Sequence, residues 1–145
     1  MSDVFSKAKR SEVMSHIKSR NTGPERAVRS ILHRMGLRFR LNRAELPGKP
    51  DIVLPRLGTA IFVHGCFWHR HKGCQFAYTP KSRRKFWFEK LESNIKRDRR
   101  VNGALAKLGW NVIIVWECEL RSSERLAKRL GVALREQWRK LSDVT

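Results

Sequence analysis

The apolar positions of this chain fall into runs whose spacing changes from helical to extended and back. Val28, Ile31, Leu32 and Met35 recur at three- and four-residue intervals, and Gly36 follows. That spacing predicts a helix. Thr22-Gly23-Pro24-Glu25 reads as its start, with Thr22 able to cap, Pro24 early and Glu25 at capping-box distance. Leu37 to Leu41 alternates as a strand does. Leu46-Pro47-Gly48-Lys49-Pro50 reads as a turn, Asp51 to Leu54 as a second short strand, and Thr59 to His64 as a third, more apolar one. Residues 65–80 show no period and are rich in His, Cys and aromatics. From about Ser82 to Leu108 helical spacing returns, with Leu91, Ile95, Leu105 and Leu108 on the core side and Gly109 as the stop. Asn111 to Trp116 reads as a buried strand, and Leu126, Leu130, Leu134, Trp138 and Leu141 mark a last helix.

Ahead of these elements, residues 6–20 offer only Val13, Met14 and Ile17 as apolar positions. So thin a face does not hold a helix alone. The expectation is a DNA-binding arm over residues 1–21, followed by one domain over 22–145. The order α, α, β, β, β, α, β, α predicts an α/β fold with a mixed central sheet flanked by helices.

Charge narrows the function. Thirty-two Lys and Arg face thirteen Asp and Glu, a net +19 over 145 residues. A domain this basic repels itself unless a polyanion neutralises it, and a phosphate backbone does so with release of counterions. Nucleic acid is the expected partner. A membrane surface is not, because no basic amphipathic segment with a dominant apolar face appears. No apolar run approaches bilayer length, and Met1 to Ser15 holds no apolar block of the signal-peptide kind. A cytoplasmic protein is therefore expected.

The three cysteines, Cys66, Cys74 and Cys118, are odd in number, which argues against a disulfide framework. Cys66-x4-His71-x2-Cys74 lies in the irregular segment, and Cys118 just follows a strand. Three thiolates and one imidazole satisfy tetrahedral zinc, and four protein ligands make a closed, structural site. His64 and His69 leave the choice of imidazole open, and buried free thiols are the alternative.

Gly48-Lys49-Pro50-Asp51 precedes one strand, and Ile61-Phe62-Val63-His64-Gly65 ends the next. A carboxylate at a strand edge beside a polar group on its neighbour is how many nucleases hold a divalent cation against a phosphate. In the Pro-Asp…Glu-x-Lys group the second strand carries Glu and Lys, whereas Phe62 and His64 stand there here. Asp51 as a plain turn cap is the alternative. Asp98 falls three residues after Ile95, on the apolar side of the long helix, where a carboxylate needs a partner; a histidine would suit, and a solvated helix-edge charge beside Arg97, Arg99 and Arg100 is the alternative. Glu25 shares the stripe of Val28 and Leu32.

His64-Gly65-Cys66-Phe67-Trp68-His69, with Pro50-Asp51 before it, resembles the signature of the very-short-patch repair (Vsr) endonucleases. So do Phe86-Trp87-Phe88-Glu89-Lys90, Arg97-Asp98-Arg99-Arg100, and Leu108-Gly109-Trp110 leading to Val115-Trp116-Glu117-Cys118. The resemblance runs from about residue 3 to about residue 120. It implies a PD-(D/E)XK restriction-endonuclease-like fold with a structural zinc. It implies a bacterial, nucleoid-associated, monomeric enzyme that nicks double-stranded DNA beside the thymine of a T:G mismatch left by 5-methylcytosine deamination. By matching positions, Asp51 and the backbone carbonyl of Val63 would bind Mg2+. His69 would be the general base, supported by Asp98, and His64 and Glu25 would assist through metal-bound waters and phosphate. Cys66, His71, Cys74 and Cys118 would hold Zn2+. Phe67, Trp68 and Trp87 would enter the DNA from the major groove and Met14 from the minor groove. The family also implies a mismatch-repair scaffold protein and a methyltransferase as collaborators. One residue more than the family pattern separates His71 from Cys74, so either Lys72-Gly73 absorbs it or another histidine moves into the metal shell. A restriction-type endonuclease on matched DNA and a non-catalytic zinc-stabilised DNA-binding module are the competing expectations.

Overall fold

The computed structural model describes residues 23–143. The arm assigned to residues 1–21, with Met14, lies outside them, as does Thr22. Helix α1 spans Gly23–Arg34, strands β1 and β2 span Arg40–Leu41 and Ile52–Leu54, and β3 spans Thr59–His64. Helix α2 covers Arg84–Lys107, β4 Asn111–Trp116 and α3 Ser123–Asp143. Short 3-10 turns at Pro55–Leu57 and Glu117–Arg121 follow β2 and β4. The result is a mixed α/β fold, as the periodicity predicted. No helix among the described residues is long and apolar enough to cross a membrane.

The four strands stand in the order β1-β2-β3-β4. The first three run as an antiparallel meander, and β4 pairs parallel to β3 along its whole length. A parallel neighbour needs a crossover, which α2 supplies. The two-residue period then sorts the side chains. Ile52, Leu54, Ile61, Ile113 and Val115 meet Val28, Ile31 and Leu32 of α1 and Leu126, Leu130 and Leu134 of α3 in one core. Ala60 and Phe62, on the opposite face, meet Leu105 of α2, with Val101, Trp110 and Val112 packed alongside. Burying one such side chain is worth about 1.5–3 kcal/mol. Three on α1 and three on α3 therefore outweigh the small propensity differences within those helices.

Several expectations yield to packing. The strand expected from Leu37 shrinks to Arg40–Leu41, both exposed; Asn42 turns into the left-handed region at φ 47 and ends it. Leu108 is 63% exposed, because α2 has already ended at Lys107. Gly109, at φ 88, turns the chain, and Trp110 packs on the core in its place. Met35, Trp138 and Leu141 are exposed: Met35 follows the end of α1, and Trp138 and Leu141 lie in the last two turns of α3. In β4 only Ile113 and Val115 are buried, so it alternates.

Candidate active site and metal centres

The sheet register explains how residues distant in sequence converge. β3 and β4 end together, with His64 opposite Trp116. Parallel strands leave the sheet at the same edge, so Cys66 and Cys118, each two residues further on, emerge side by side. The loop after Cys66 winds back on itself: His69 N–H donates to the Gly65 carbonyl at 3.1 Å and His71 N–H to the Cys66 carbonyl at 3.0 Å. Cys74 N–H donates to the His71 carbonyl at 3.2 Å. Gly73 sits at φ 73, a left-handed conformation open to glycine, so Lys72-Gly73 accommodates the extra residue as a turn.

The ligand atoms of Cys66, His71, Cys74 and Cys118 all lie within 4.8 Å of one another. His71 Nδ1 is 3.4 Å from Cys118 Sγ, and its ring stacks on Trp116 at 4.2 Å between centroids. All three thiols are free of disulfides. Burial pushes the Cys66 thiol up to about 12 and raises Cys118, while the Phe76 backbone N–H holds Cys74 below the ordinary thiol range. Three sulfurs and an imidazole nitrogen so close, unbridged, suit a soft cation that takes them as thiolates. His64 and His69 stand apart from this group and cluster instead with Asp98.

That second cluster lies on the α2 face of the sheet, at the parity of Phe62. The His64 and His69 rings stack at 3.7 Å and 6°. His69 Nδ1 donates to Asp98 Oδ2 at 2.7 Å, the histidine partner that the position of Asp98 called for. His64 is 6% exposed, and its Nδ1 has no hydrogen-bond partner among the described residues. Burial, with the His69 ring adding to it, holds the His64 pKa down at about 3, so this imidazole is neutral near pH 7 and offers a lone pair.

Asp51 precedes β2, and its Oδ2 accepts the Val63 backbone N–H at 2.7 Å. That is a contact from Val63's amide, not the carbonyl that the family pattern would make a metal ligand. Burial pushes the Asp51 carboxyl up to about 6 against the pull of the Val63 amide, and the neighbouring Glu25 carboxyl raises it further through charge and a shared hydrogen bond. Glu25 thus projects from α1 onto Asp51, two acids brought together from separate elements. Pairs of this kind are relieved by a proton or a hard cation.

All these groups line one cleft of about 650 Å³. Glu25, Asp51, His64, His69 and Asp98 form part of its wall, with Phe67 and Trp68 further along. Sequence reasoning missed Lys49, Lys90, Asn94 and Arg97, which line it too. Asn94 braces the cleft: its Nδ2 donates to the Trp68 carbonyl at 3.0 Å and ties the loop to α2. Its position four residues before Asp98, on the same stripe, was the available signal. Phe67, Trp68 and Trp87 form one aromatic group with ring centroids 5.1–5.9 Å apart.

Comparison with known proteins identifies the family. A family model described as "DNA mismatch endonuclease Vsr" matches residues 2–75. The chain is 51% identical over 130 residues to the type II nicking enzyme V.XorIIP of Xanthomonas oryzae, covering 90% of this chain and 95% of that one. It is 45% identical over 138 residues to the DNA mismatch endonuclease Vsr of Escherichia coli, covering 95% and 88%. Against the type II nicking enzyme V.NmeAIP of Neisseria meningitidis the identity is 45% over 136 residues, covering 94% and 96%. On the family match and on this near-complete similarity, the chain belongs to the Vsr family of DNA mismatch endonucleases.

Proposed function

We propose that the cleft between α1, β3 and α2 is the hydrolytic centre of this mismatch endonuclease, and that it nicks one strand of duplex DNA beside the thymine of a T:G pair. The observation that carries the reading is the convergence in one cleft of an acid pair, Asp51 with Glu25, and an acid-oriented imidazole, His69 with Asp98. The mixed sheet with Asp51 at the mouth of β2 supports a nuclease scaffold of the Pro-Asp…Glu-x-Lys kind, in which His64 and His69 take over from the missing second acid and lysine.

Asp98 accepts from Nδ1, so Nε2 is the basic nitrogen of His69. In that tautomer the ring takes the proton of an attacking water, and the carboxylate stabilises the imidazolium that results. Water adds to phosphorus, one P–O bond breaks, and a single strand is cut. Asp51 and Glu25 fit a hard cation, because their carboxyl oxygens already crowd one another. Asp51, the Val63 carbonyl, and Glu25 and His64 through waters would hold magnesium. Magnesium bound there supplies charge stabilisation at the phosphate. Cys66, His71, Cys74 and Cys118 fit zinc, which would fasten the loop to the end of β4 and so fix the position of His69.

Recognition rests on the aromatic group. A T:G wobble stacks less well than a matched pair, so opening that step costs less. Phe67, Trp68 and Trp87 repay part of the cost by stacking, at roughly 1–3 kcal/mol per base, and Met14 of the arm, residues 1–21, would enter from the minor groove. The +19 charge serves phosphate binding by a monomer, with a repair scaffold protein as a further partner in a bacterial cytoplasm. The test is to incubate T:G and matched T:A duplexes side by side with magnesium. Nicking of T:G alone supports the assignment; equal cutting of both overturns the mismatch specificity, and no magnesium-dependent cutting overturns the catalytic reading.

A further inference from the structure

The irregular loop carries two large aromatics that none of the assignments above uses: Phe76, whose ring lies under the Arg121 guanidinium at 4.6 Å, and Tyr78. Tyr78 is 63% exposed, yet its ring lies 5.1 Å from that of Phe67. It therefore extends the aromatic group on the solvent side at the Phe67 end, as Phe86, 5.2 Å from Trp87, does at the other. A single exposed aromatic is ordinary, but a contiguous set of such rings marks a binding surface.

The position of Tyr78 is held, not accidental. Arg70 Nη1 donates to the Tyr78 carbonyl at 2.9 Å and to the Phe67 carbonyl at 3.4 Å. Its Nη2 donates to Thr79 Oγ1 at 3.4 Å, and the guanidinium lies 5.8 Å from the Phe67 ring centroid. One side chain thus ties together the two chain segments that carry the rings. Arg70 does this from φ 53, a conformation that residues with side chains rarely adopt. The surroundings are cationic: Lys81, Arg83, Arg84 and Lys85 follow within seven residues, and the first turn of α2 has no acid to offset them. A polyanion that also presents flat apolar faces answers both features.

We propose that Tyr78 is a further DNA-stacking residue, which packs with Phe67 against the bases of the opened step, and that Arg70 is its positioning residue. This rests on the reading of Phe67 and Trp68 as DNA-entering aromatics. A ring here adds stacking surface at any base, because every base has a π-face, so its contribution is to hold the step open, with no reading of base edges.

The experiment compares Tyr78→Ala, Tyr78→Phe, Arg70→Ala, the double Tyr78→Ala/Arg70→Ala and Trp68→Ala in the full chain. Measurements are KM and kcat on a T:G duplex, fluorescence of 2-aminopurine placed beside the mismatch, zinc content and melting temperature. Tyr78→Ala is expected to raise KM about fivefold or more, the lower end of one lost stack, and to lower the 2-aminopurine signal change, with zinc content and melting temperature unmoved. Tyr78→Phe restores most of the loss. Arg70→Ala acts in the same direction, and the double variant is no worse than the greater single one, since residues acting through one another are not additive. A Tyr78→Ala protein within twofold of the parent in KM overturns the proposal, as does a loss that tracks zinc content or melting temperature. If Trp68→Ala weakens mismatch binding while Tyr78→Ala does not, only this inference falls; if neither has an effect, the aromatic reading it rests on falls with it.

Discussion

His69 Nδ1 stands 2.7 Å from Asp98 Oδ2, across the gap between the cysteine-histidine loop and the long helix α2. A carboxylate accepts only, so this bond sets the tautomer and presents Nε2 as the basic nitrogen. Asp98→Asn can keep the shape but not the sign of the interaction, since its amide can donate to Nδ1 and favour the wrong tautomer. Removing the ring in His69→Ala should lower kcat by about 10²–10⁴-fold, and Asp98→Asn by about 10–100-fold or more. Both proteins should bind DNA and retain zinc as the parent does. Zinc loss from His69→Ala would mean that His69, not His71, completes the thiolate site.

The family resemblance named both members of this pair, but the patterning of residues alone made it readable from one side only. Asp98 stood out because a charge interrupts an apolar stripe at helical spacing, and burial on that stripe demands a partner. What placed His69 opposite it was the winding of residues 65–71, built on Gly65 and Cys66 carbonyls, and no periodicity encodes such a loop. The same contrast runs through the fold. β3, β4 and the three helices follow from spacing, since a two- or 3.6-residue period declares which face is buried. Glu25 was legible as a cap, but its meeting with Asp51 depends on how α1 lies across β3, which is a tertiary matter. Leu108 was misplaced because an apolar residue at a helix end satisfies the pattern without being buried, and Met35 stays exposed although its Cε reaches Gly131 of α3. The extra residue at Lys72-Gly73 was ambiguous in sequence because only a positive φ at Gly73 shows that the turn absorbs it.

Asp51 and Glu25 crowd two carboxyls together, so one of them works against the fold whenever no cation is bound. Asp51→Asn removes that repulsion and, on the function proposed above, the principal ligand of the cation at once. The expected outcome is a metal-free protein at least as stable as the parent, with magnesium-dependent nicking lost and duplex binding kept. Magnesium should raise the melting temperature of the parent and leave that of Asp51→Asn unmoved. A variant that still nicks with magnesium would remove Asp51 from the centre of the chemistry.

Cys118 joins the end of β4 to a loop that has no regular hydrogen-bond ladder of its own. In Cys118→Ser the soft ligand is lost, and three remaining donors hold zinc far less well. Structural zinc contributes several kcal/mol of folding free energy, so the melting temperature should fall by roughly 10 °C or more for a domain of this size. Zinc content measured by metal analysis should drop in parallel, and chelation of the parent should reproduce the change. An undiminished melting temperature would show that the loop is held by packing alone.

Gly48 shows how the turn before β2 aims Asp51. A Cβ built there would lie 2.3 Å from Val101 Cγ1 on α2, and the backbone is at φ 72. Gly48→Ala therefore meets two separate obstacles, a clash with a half-buried side chain and a left-handed conformation that costs a non-glycine residue about 1 kcal/mol. Overpacking adds about 1–3 kcal/mol, and relief by shifting the turn would move Asp51, three residues on, away from the Val63 amide. The single variant is expected to lose both stability and nicking rate. Gly48→Ala with Val101→Ala removes the two severest contacts, leaves the Val101 Cβ at 3.2 Å and leaves the conformational cost, so the nicking rate should recover further than the melting temperature does. Recovery of neither would show that the positive φ, and not the approach to Val101, is what the turn requires of this glycine.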